Sequence, residues 1–312
     1  MSVYPALNSR TTIGSGAGTI LFGGSGFLGP YILANHPGMI SVGRRPPPTA
    51  NRHIPIHSLA DLSALDDVDF ERVIFIIGNT DHHSLEEATL LRDQPNAFDY
   101  HTLPLIQTLE QLKSRPLKKF IYFSSVLLYD ENRLTLPVSE AAPIDPYKNR
   151  YTMSKYLGEE LCRFYAQWTP IITVRMSNLY GPTRLQRYDL IPVVSRQLLK
   201  EGRAEIWSRR PSRDFIYVED AARAIVQLLF TDYSGVVNLG TGIVTPVSKV
   251  IDILQEISGC PISDRDLPVS GPMAFQCDPT LVFGLIDWRP QVSIEEGVRR
   301  TFEQMKAWSL AE

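Results

Sequence analysis

The stretch that most constrains this chain is Gly23-Gly24-Ser25-Gly26-Phe27-Leu28-Gly29, which follows the apolar run Thr19-Ile20-Leu21-Phe22. Glycines at 23, 26 and 29 give the spacing G-x-x-G-x-x-G between a predicted strand and a predicted helix. In a dinucleotide-binding turn each glycine has its own task. The first carries the chain through a tight turn out of the strand, the second lets backbone approach a pyrophosphate, and the third packs the next helix against the sheet. The helix N-terminus adds free N–H groups and the positive end of a dipole. Gly23, Ser25, Gly26, Phe27, Leu28 and Gly29 are therefore the candidate cofactor cradle. Glycine content alone would not single them out. Gly14-Ser15-Gly16-Ala17-Gly18 is nearly as rich, but it precedes the strand, and residues 1–17 read as a flexible leader.

A short helix, Tyr31–Asn35, and a second strand, Met39–Val42, lead to Gly43-Arg44-Arg45. About 20 residues past the first glycine, a chain that binds NAD places an acid on the ribose 2′-OH. Here two arginines stand instead, and forked guanidinium groups suit a 2′-phosphate. Arg44 and Arg45 favour NADP, with NAD as the alternative. The third strand is expected at Ile54-Pro55-Ile56, where Pro55 argues against a central place. Asp61 and Leu62 follow, where an adenine could lie, and a fourth strand is expected at Arg72–Ile77.

The polar segment Asp81–Gln94 carries His82 and His83. Adjacent histidines resemble a metal pair, but no Cys or further His stands at ligand spacing, so the expectation is a solvated loop and no metal. From 95 to 113 apolar residues recur near helical spacing, with Pro104 predicting a kink or restart. Lys119–Ser125 reads as the fifth strand, and 147–166 as a helix.

That helix holds Tyr151-Thr152-Met153-Ser154-Lys155, the one Y-x-x-x-K in the sequence. Spacing of i and i+4 puts phenol and ammonium on one face. A phenol with an ordinary pKa of about 10 is a poor proton relay near neutrality. A neighbouring lysine is expected to favour the phenolate and lower that pKa, so that Tyr151 exchanges a proton with a substrate oxygen. A serine hydroxyl at the end of the fifth strand could share that oxygen.

A length of 312 residues allows two domains, or one large α/β unit with an appended lobe. A net charge of -3 gives no electrostatic case for nucleic acid or an anionic membrane. No apolar run approaches the roughly 20 residues of a membrane span, and the leader lacks the marks of a signal peptide. Cys162, Cys260 and Cys277 are odd in number and form no C-x-x-C, which suits reduced thiols and a cytoplasmic location.

With these motifs in hand, the chain resembles an extended short-chain dehydrogenase/reductase of the nucleotide-sugar epimerase/dehydratase type, from about residue 18 to residue 308. The resemblance rests on the glycine turn, on Ser124-Ser125-Val126-Leu127-Leu128-Tyr129, on Tyr151 and Lys155, and on two later strings. These are Arg175-Met176-Ser177-Asn178-Leu179-Tyr180-Gly181-Pro182 and Arg213-Asp214-Phe215-Ile216-Tyr217-Val218-Glu219-Asp220. It implies a catalytic trio of Ser125, Tyr151 and Lys155, with Ser124 as the rival serine. It also implies that Tyr151 and Lys155 contact the cofactor, that Asn178 lies beside a substrate diphosphate, and that Arg213 holds a substrate phosphate or ribose.

The implied fold is a Rossmann-type, doubly wound parallel sheet with a smaller C-terminal substrate-binding lobe. The dinucleotide-binding domain would span 18–177 plus about 236–242, and the lobe 178–235 and 243–312. A homodimer through helices near 95–114 and 147–166 is implied as well. The chain departs from the family at Ile77-Gly78-Asn79-Thr80, at His101 in place of an asparagine, and at Trp207-Ser208-Arg209-Arg210-Pro211 before Arg213. Relatives that dehydrate place Asp-Glu where this chain has Val126 and Leu127, which argues against that reaction. The expectation is an NADP(H)-dependent reduction of the C4 keto group of a nucleotide-linked (deoxy)hexose. An NAD-dependent 4-epimerase is the alternative; a non-catalytic dinucleotide-binding regulator and a reductase of non-sugar ketones stand further back.

Overall fold

A computed structural model describes residues 18–78, 96–269 and 271–311. The expected leader, Asn79-Thr80 and the His82/His83 segment lie outside the described residues.

Seven strands form one parallel sheet: β1 (Gly18–Phe22), β2 (Ile40–Gly43), β3 (Arg52–Pro55), β4 (Phe70–Phe75), β5 (Lys119–Ser125), β6 (Ile171–Met176) and β10 (Gly235–Leu239). Their spatial order is β10-β6-β5-β4-β1-β2-β3, every pairing parallel. The run 3-2-1-4-5-6 is the dinucleotide-binding order, with its switch point between β1 and β4. Side chains alternate between the two faces, as period 2 demands. Ile20, Phe22, Val73, Phe75, Phe120 and Tyr122 enter one apolar core, while Leu21, Ile74, Ile121, Ile172 and Val174 enter the other.

Helices cover both faces. Helix α1 (Gly29–Asn35) lies on the Leu21 side, and α2 (Ala97–Leu112) and α3 (Arg150–Tyr165) lie on the Phe22 side. Helix α2 opens with a capping box of Asn96 and Asp99 and runs on through Pro104 without a restart. Helix α3 begins three residues later than expected: Pro146–Lys148 forms a separate tight turn, and Asn149 then caps α3 through Thr152. The edge place of β3 explains its tolerance of Pro55, which has no N–H to give a further strand.

Beyond β6, short strands that the sequence reading did not find build two small sheets. Strand β9 (Ser212–Tyr217) pairs parallel with β7 (Asn178–Tyr180) and antiparallel with β11 (Val244–Pro246). Strand β8 (Ala204–Ile206) pairs with β12 (Ile262–Asp264). Four helices go with them, α4 (Leu190–Glu201), α5 (Val218–Leu228), α6 (Val247–Ser258) and α8 (Ile294–Ser309), with a short α7 (Thr280–Leu285) before the last. Helix α5 packs on α1, so the apolar core under α1 continues into this part of the chain without a break. Among the described residues no helix is long and apolar enough to cross a membrane.

Candidate active site

A cleft of about 320 Å³ opens at the carboxyl ends of β1, β4, β5 and β6, where the strand order reverses. Its wall includes Gly26, Phe27, Leu28, Ser125, Tyr151, Lys155 and Asn178. Residues expected at the site from four separate stretches of sequence thus meet in one place. Gly23, Ser25, Gly29, Arg44, Arg45, Asp61, Leu62 and Arg213 do not line this cleft.

The glycine turn works by close approach. Gly23 has φ +86°, a conformation that L side chains rarely adopt, and its carbonyl accepts from Gly26 N at 3.0 Å. A Cβ at Gly29 would stand 2.2 Å from Gly24 O, inside the turn itself. The third glycine therefore lets the helix start close against the turn rather than against the sheet, which corrects the expectation. Gly24 is the one that meets the sheet, since its Cβ would stand 2.7 Å from Ser41 Oγ on β2.

The two candidate serines have different partners. Ser124 is buried and donates to Glu159 Oε1 at 2.5 Å. Ser125 Oγ accepts from Leu127 N at 3.2 Å, and its hydroxyl lies near enough to the Tyr151 phenol to draw that group's pKa down. Glu159 in turn receives Arg175 Nε at 2.9 Å and Nη2 at 2.7 Å, an ion pair sealed behind the cleft between α3 and β6.

Tyr151 corrects a second expectation. Burial pushes its pKa up to about 12; the nearby Ser125 hydroxyl pulls it down in part, and the Asp189 and Arg187 charges act in opposite directions. Lys155 is not what governs it. The Lys155 ammonium donates to Phe123 O at 2.9 Å and lies 5.8 Å from the centre of the Tyr151 ring. Burial lowers the Lys155 pKa to about 8, and the nearby Glu159 charge resists that fall. Helical spacing put the two groups on one face, but it carried no information on how deep that face lies.

His101, noticed in the sequence only as a departure, lies against the phenol. Its ring meets the Tyr151 ring edge-on at 5.3 Å between centroids, and Nδ1 is 2.8 Å from Ser154 Oγ. Ser154 donates to the Tyr151 carbonyl at 2.7 Å, so His101 Nδ1 carries the proton toward Ser154. Arg187 was missed altogether. It lines the cleft, lies 4.4 Å over the Phe27 ring, and its Nε donates to Asp189 Oδ2 at 2.6 Å. No spacing rule marks an arginine in the irregular stretch before α4.

Asn178 borders the main cleft and two further cavities, and its Nδ2 donates to Asp214 O at 3.1 Å. Arg213 borders only the two further cavities, with Nη1 held by Ser212 O and Pro272 O. Burial lowers its pKa, offset in part by Glu131. Neither adjacent acid holds it. Asp214 is taken up by Thr241, Gly242 and Cys277, and Asp220 by Arg223, Gln291 and Val292. Arg209 and Arg210 are tied to Asp252, Gln255, Asp266 and Leu267.

Arg44 and Arg45 are exposed just past β2 and make no side-chain hydrogen bond or ion pair among the described residues. Asp61 caps its own turn through Ser63 N at 3.0 Å, and Leu62 is buried in the core under β1 and β4.

An NAD(P) cofactor fits these residues. The Gly26 backbone borders the cleft at a point where a Cβ would stand 3.2 Å from Gly23 O, and two guanidinium groups extend unpaired from the end of β2. A Rossmann sheet with a Ser/Tyr/Lys cleft at its switch point defines an NAD(P)-binding short-chain dehydrogenase/reductase of the extended type.

More narrowly, the chain belongs to the NAD dependent epimerase/dehydratase family, whose model matches residues 19–240. A putative UDP-glucose 4-epimerase of Methanocaldococcus jannaschii is 30% identical over 215 residues, which cover 67% of this chain and 70% of that one. Among solved structures, the NAD-dependent NDP-hexosamine 5,6-dehydratase TunA superposes with TM-score 0.82 at 23% identity, over 95% of this chain and 100% of its own. RMD from Pseudomonas aeruginosa, solved with NADPH, does so with TM-score 0.77 at 22% identity, over 93% and 99%. The chain spans 58% to 70% of the length of curated relatives of this kind.

Proposed function

We propose that the chain is an NADP(H)-dependent oxidoreductase that reduces the C4 keto group of a nucleotide-linked (deoxy)hexose. The carrying observation is that Ser125, Tyr151 and Lys155 line one cleft in which positions 126 and 127 are Val and Leu. Those two side chains cannot transfer protons, so elimination of a hydroxyl lacks its acid and base at that point, while proton transfer to a carbonyl oxygen has both of its donors.

When bound, a reduced nicotinamide supplies the hydride. Gly26, Phe27 and Leu28 would hold its pyrophosphate, Arg44 and Arg45 its 2′-phosphate, and Tyr151 and Lys155 its reactive end. Ser125 donates a hydrogen bond to the ketone oxygen and orients it. Tyr151 gives that oxygen its proton as the carbonyl carbon is reduced. With a pKa of about 12 the phenol is protonated at neutral pH, which is the state an acid needs, and an alkoxide is basic enough to take the proton. Lys155, protonated below about pH 8, offsets the charge of the tyrosinate left behind. Residues 178–235 and 243–312 would close over the sugar.

A 4-epimerase reading draws on the same three residues and on the M. jannaschii relative. The test is NADPH oxidation by the purified protein with nucleoside-diphosphate-4-keto-6-deoxyhexoses. Stoichiometric oxidation is expected; copurified NAD with exchange of epimers and no net cofactor turnover would replace the reductase with the epimerase.

A further inference from the structure

We propose that the cavity beyond Asn178 selects guanine, through the carboxylate of Glu205 and the side-chain amide of Gln197. This rests on the reading of the cleft as a nucleotide-sugar site, and adds which nucleotide it takes. The cavity, of about 450 Å³, shares Asn178 and Asp189 with the catalytic cleft and has Arg213 in its wall. A ligand whose sugar lies at Tyr151 and whose anionic middle lies near Arg213 therefore delivers its far end here.

The wall at that end is built by β8. Period 2 turns Ala204 and Ile206 into the core and leaves Glu205 and the next residue, Trp207, on the opposite, exposed face. Both border the cavity, so a carboxylate and a large aromatic face stand two residues apart on the same side. Trp207 offers a surface on which any base can stack, without choosing among bases.

The choice lies in the polar pair. The backbone N–H of Glu205 donates to Gln197 Oε1 at 3.2 Å. That bond fixes which end of the amide is the oxygen and leaves the Gln197 NH₂ as the donor end. The cavity edge thus presents an amide donor next to a carboxylate acceptor. Guanine offers the complement, an O6 acceptor followed by the N1–H and N2–H₂ donors, and two adjacent donors match the two oxygens of one carboxylate. Uracil and thymine present a single N–H flanked by two carbonyls, so a carboxylate that reaches the N–H is repelled by an oxygen beside it. Arg265 Nε stands 3.8 Å from Glu205 Oε2, at the limit of an ion pair, and does not saturate the acceptor. Ser208, also in the wall, already accepts from Arg210 N and Nε.

The test is calorimetric titration of the full chain with GDP, UDP and dTDP, for the parent protein and for Glu205→Gln. A bidentate contact that is lost with the wrong base implies that GDP binds at least about tenfold tighter than UDP or dTDP. Glu205→Gln should remove that preference by weakening GDP binding without weakening UDP binding, while Trp207→Leu should weaken all three alike. Equal binding of GDP and UDP by the parent, or a GDP preference that survives Glu205→Gln, overturns the assignment of guanine and leaves the nucleotide-sugar reading standing. Failure of all three diphosphates to bind overturns both.

Discussion

Replacing Glu159 by glutamine probes the link between the packing behind the cleft and the chemistry within it. The Glu159 carboxylate accepts two bonds from Arg175, at 2.7 and 2.9 Å, and one from Ser124 at 2.5 Å, with 4% and 6% of the acidic and basic side chains exposed. An amide of the same shape keeps at most one of the Arg175 bonds and leaves a buried guanidinium without its counter-charge. Breaking a buried pair from one side costs about 3–5 kcal/mol, a large part of a typical net stability of about 5–15 kcal/mol. For a protein of this size that corresponds to a melting point lower by roughly 5–8 °C. Restoring an apolar environment with Glu159→Leu and Arg175→Met together should recover much of the loss, because the desolvated charge is removed as well.

The same substitution reaches Lys155, one turn away. Burial disfavours the ammonium and the Glu159 charge favours it, with a net pKa of about 8. Without the carboxylate the ammonium loses its proton at lower pH, so the alkaline limb of ketone reduction moves to lower pH. Thermal melts and the pH profile of kcat/KM report the two effects separately. A Glu159→Gln variant that melts within about 2 °C of the parent, with the limb unmoved, would refute the reasoning.

Three further outcomes follow from the same geometry. In the parent, kcat/KM for reduction should be level up to about pH 8 and then fall toward tenfold per unit, because the protonated Lys155 is the active form. Arg44→Ala and Arg45→Ala should each raise the Kd for NADPH by roughly 10- to 100-fold, the worth of a hydrogen bond to a charged group. Their effect on NADH, measured by fluorescence titration, should be slight, and equal loss of both cofactors would remove the arginines from the 2′-phosphate. Gly29→Ala drives a methyl to within 2.2 Å of Gly24 O. It should cost about 3 kcal/mol or more and lower NADPH affinity, as denaturant titration and binding would show.

What could be read in the sequence was whatever is local in the chain. The strand, turn and helix at residues 19–35 were legible because the glycine spacing is a covalent neighbourhood, and Tyr151 with Lys155 because i and i+4 share a helix face. Strands β1, β2, β4 and β5 were legible because each is a compact, largely apolar run. Strands β7, β8, β11 and β12 were not, since three residues carry no period and their partners lie far along the chain. The same distance hid the Glu159–Arg175 pair, the approach of Gly24 to Ser41, and the placement of Arg187 over Phe27. The direction of the Tyr151 shift was misjudged for a related reason: its pKa answers to depth of burial, which a single helix face does not reveal.

The most direct test of the central claim uses NADPH with both hydrogens at nicotinamide C4 replaced by deuterium and follows the label into the sugar, in the parent protein and in Tyr151→Phe. Label is expected at C4 of the product, one deuterium for each NADPH consumed. Tyr151→Phe should still bind NADPH, because the glycine turn and the arginines remain, yet turn over about 10² to 10⁴ times more slowly. Product that carries no label, or a Tyr151→Phe variant as fast as the parent, would contradict that claim.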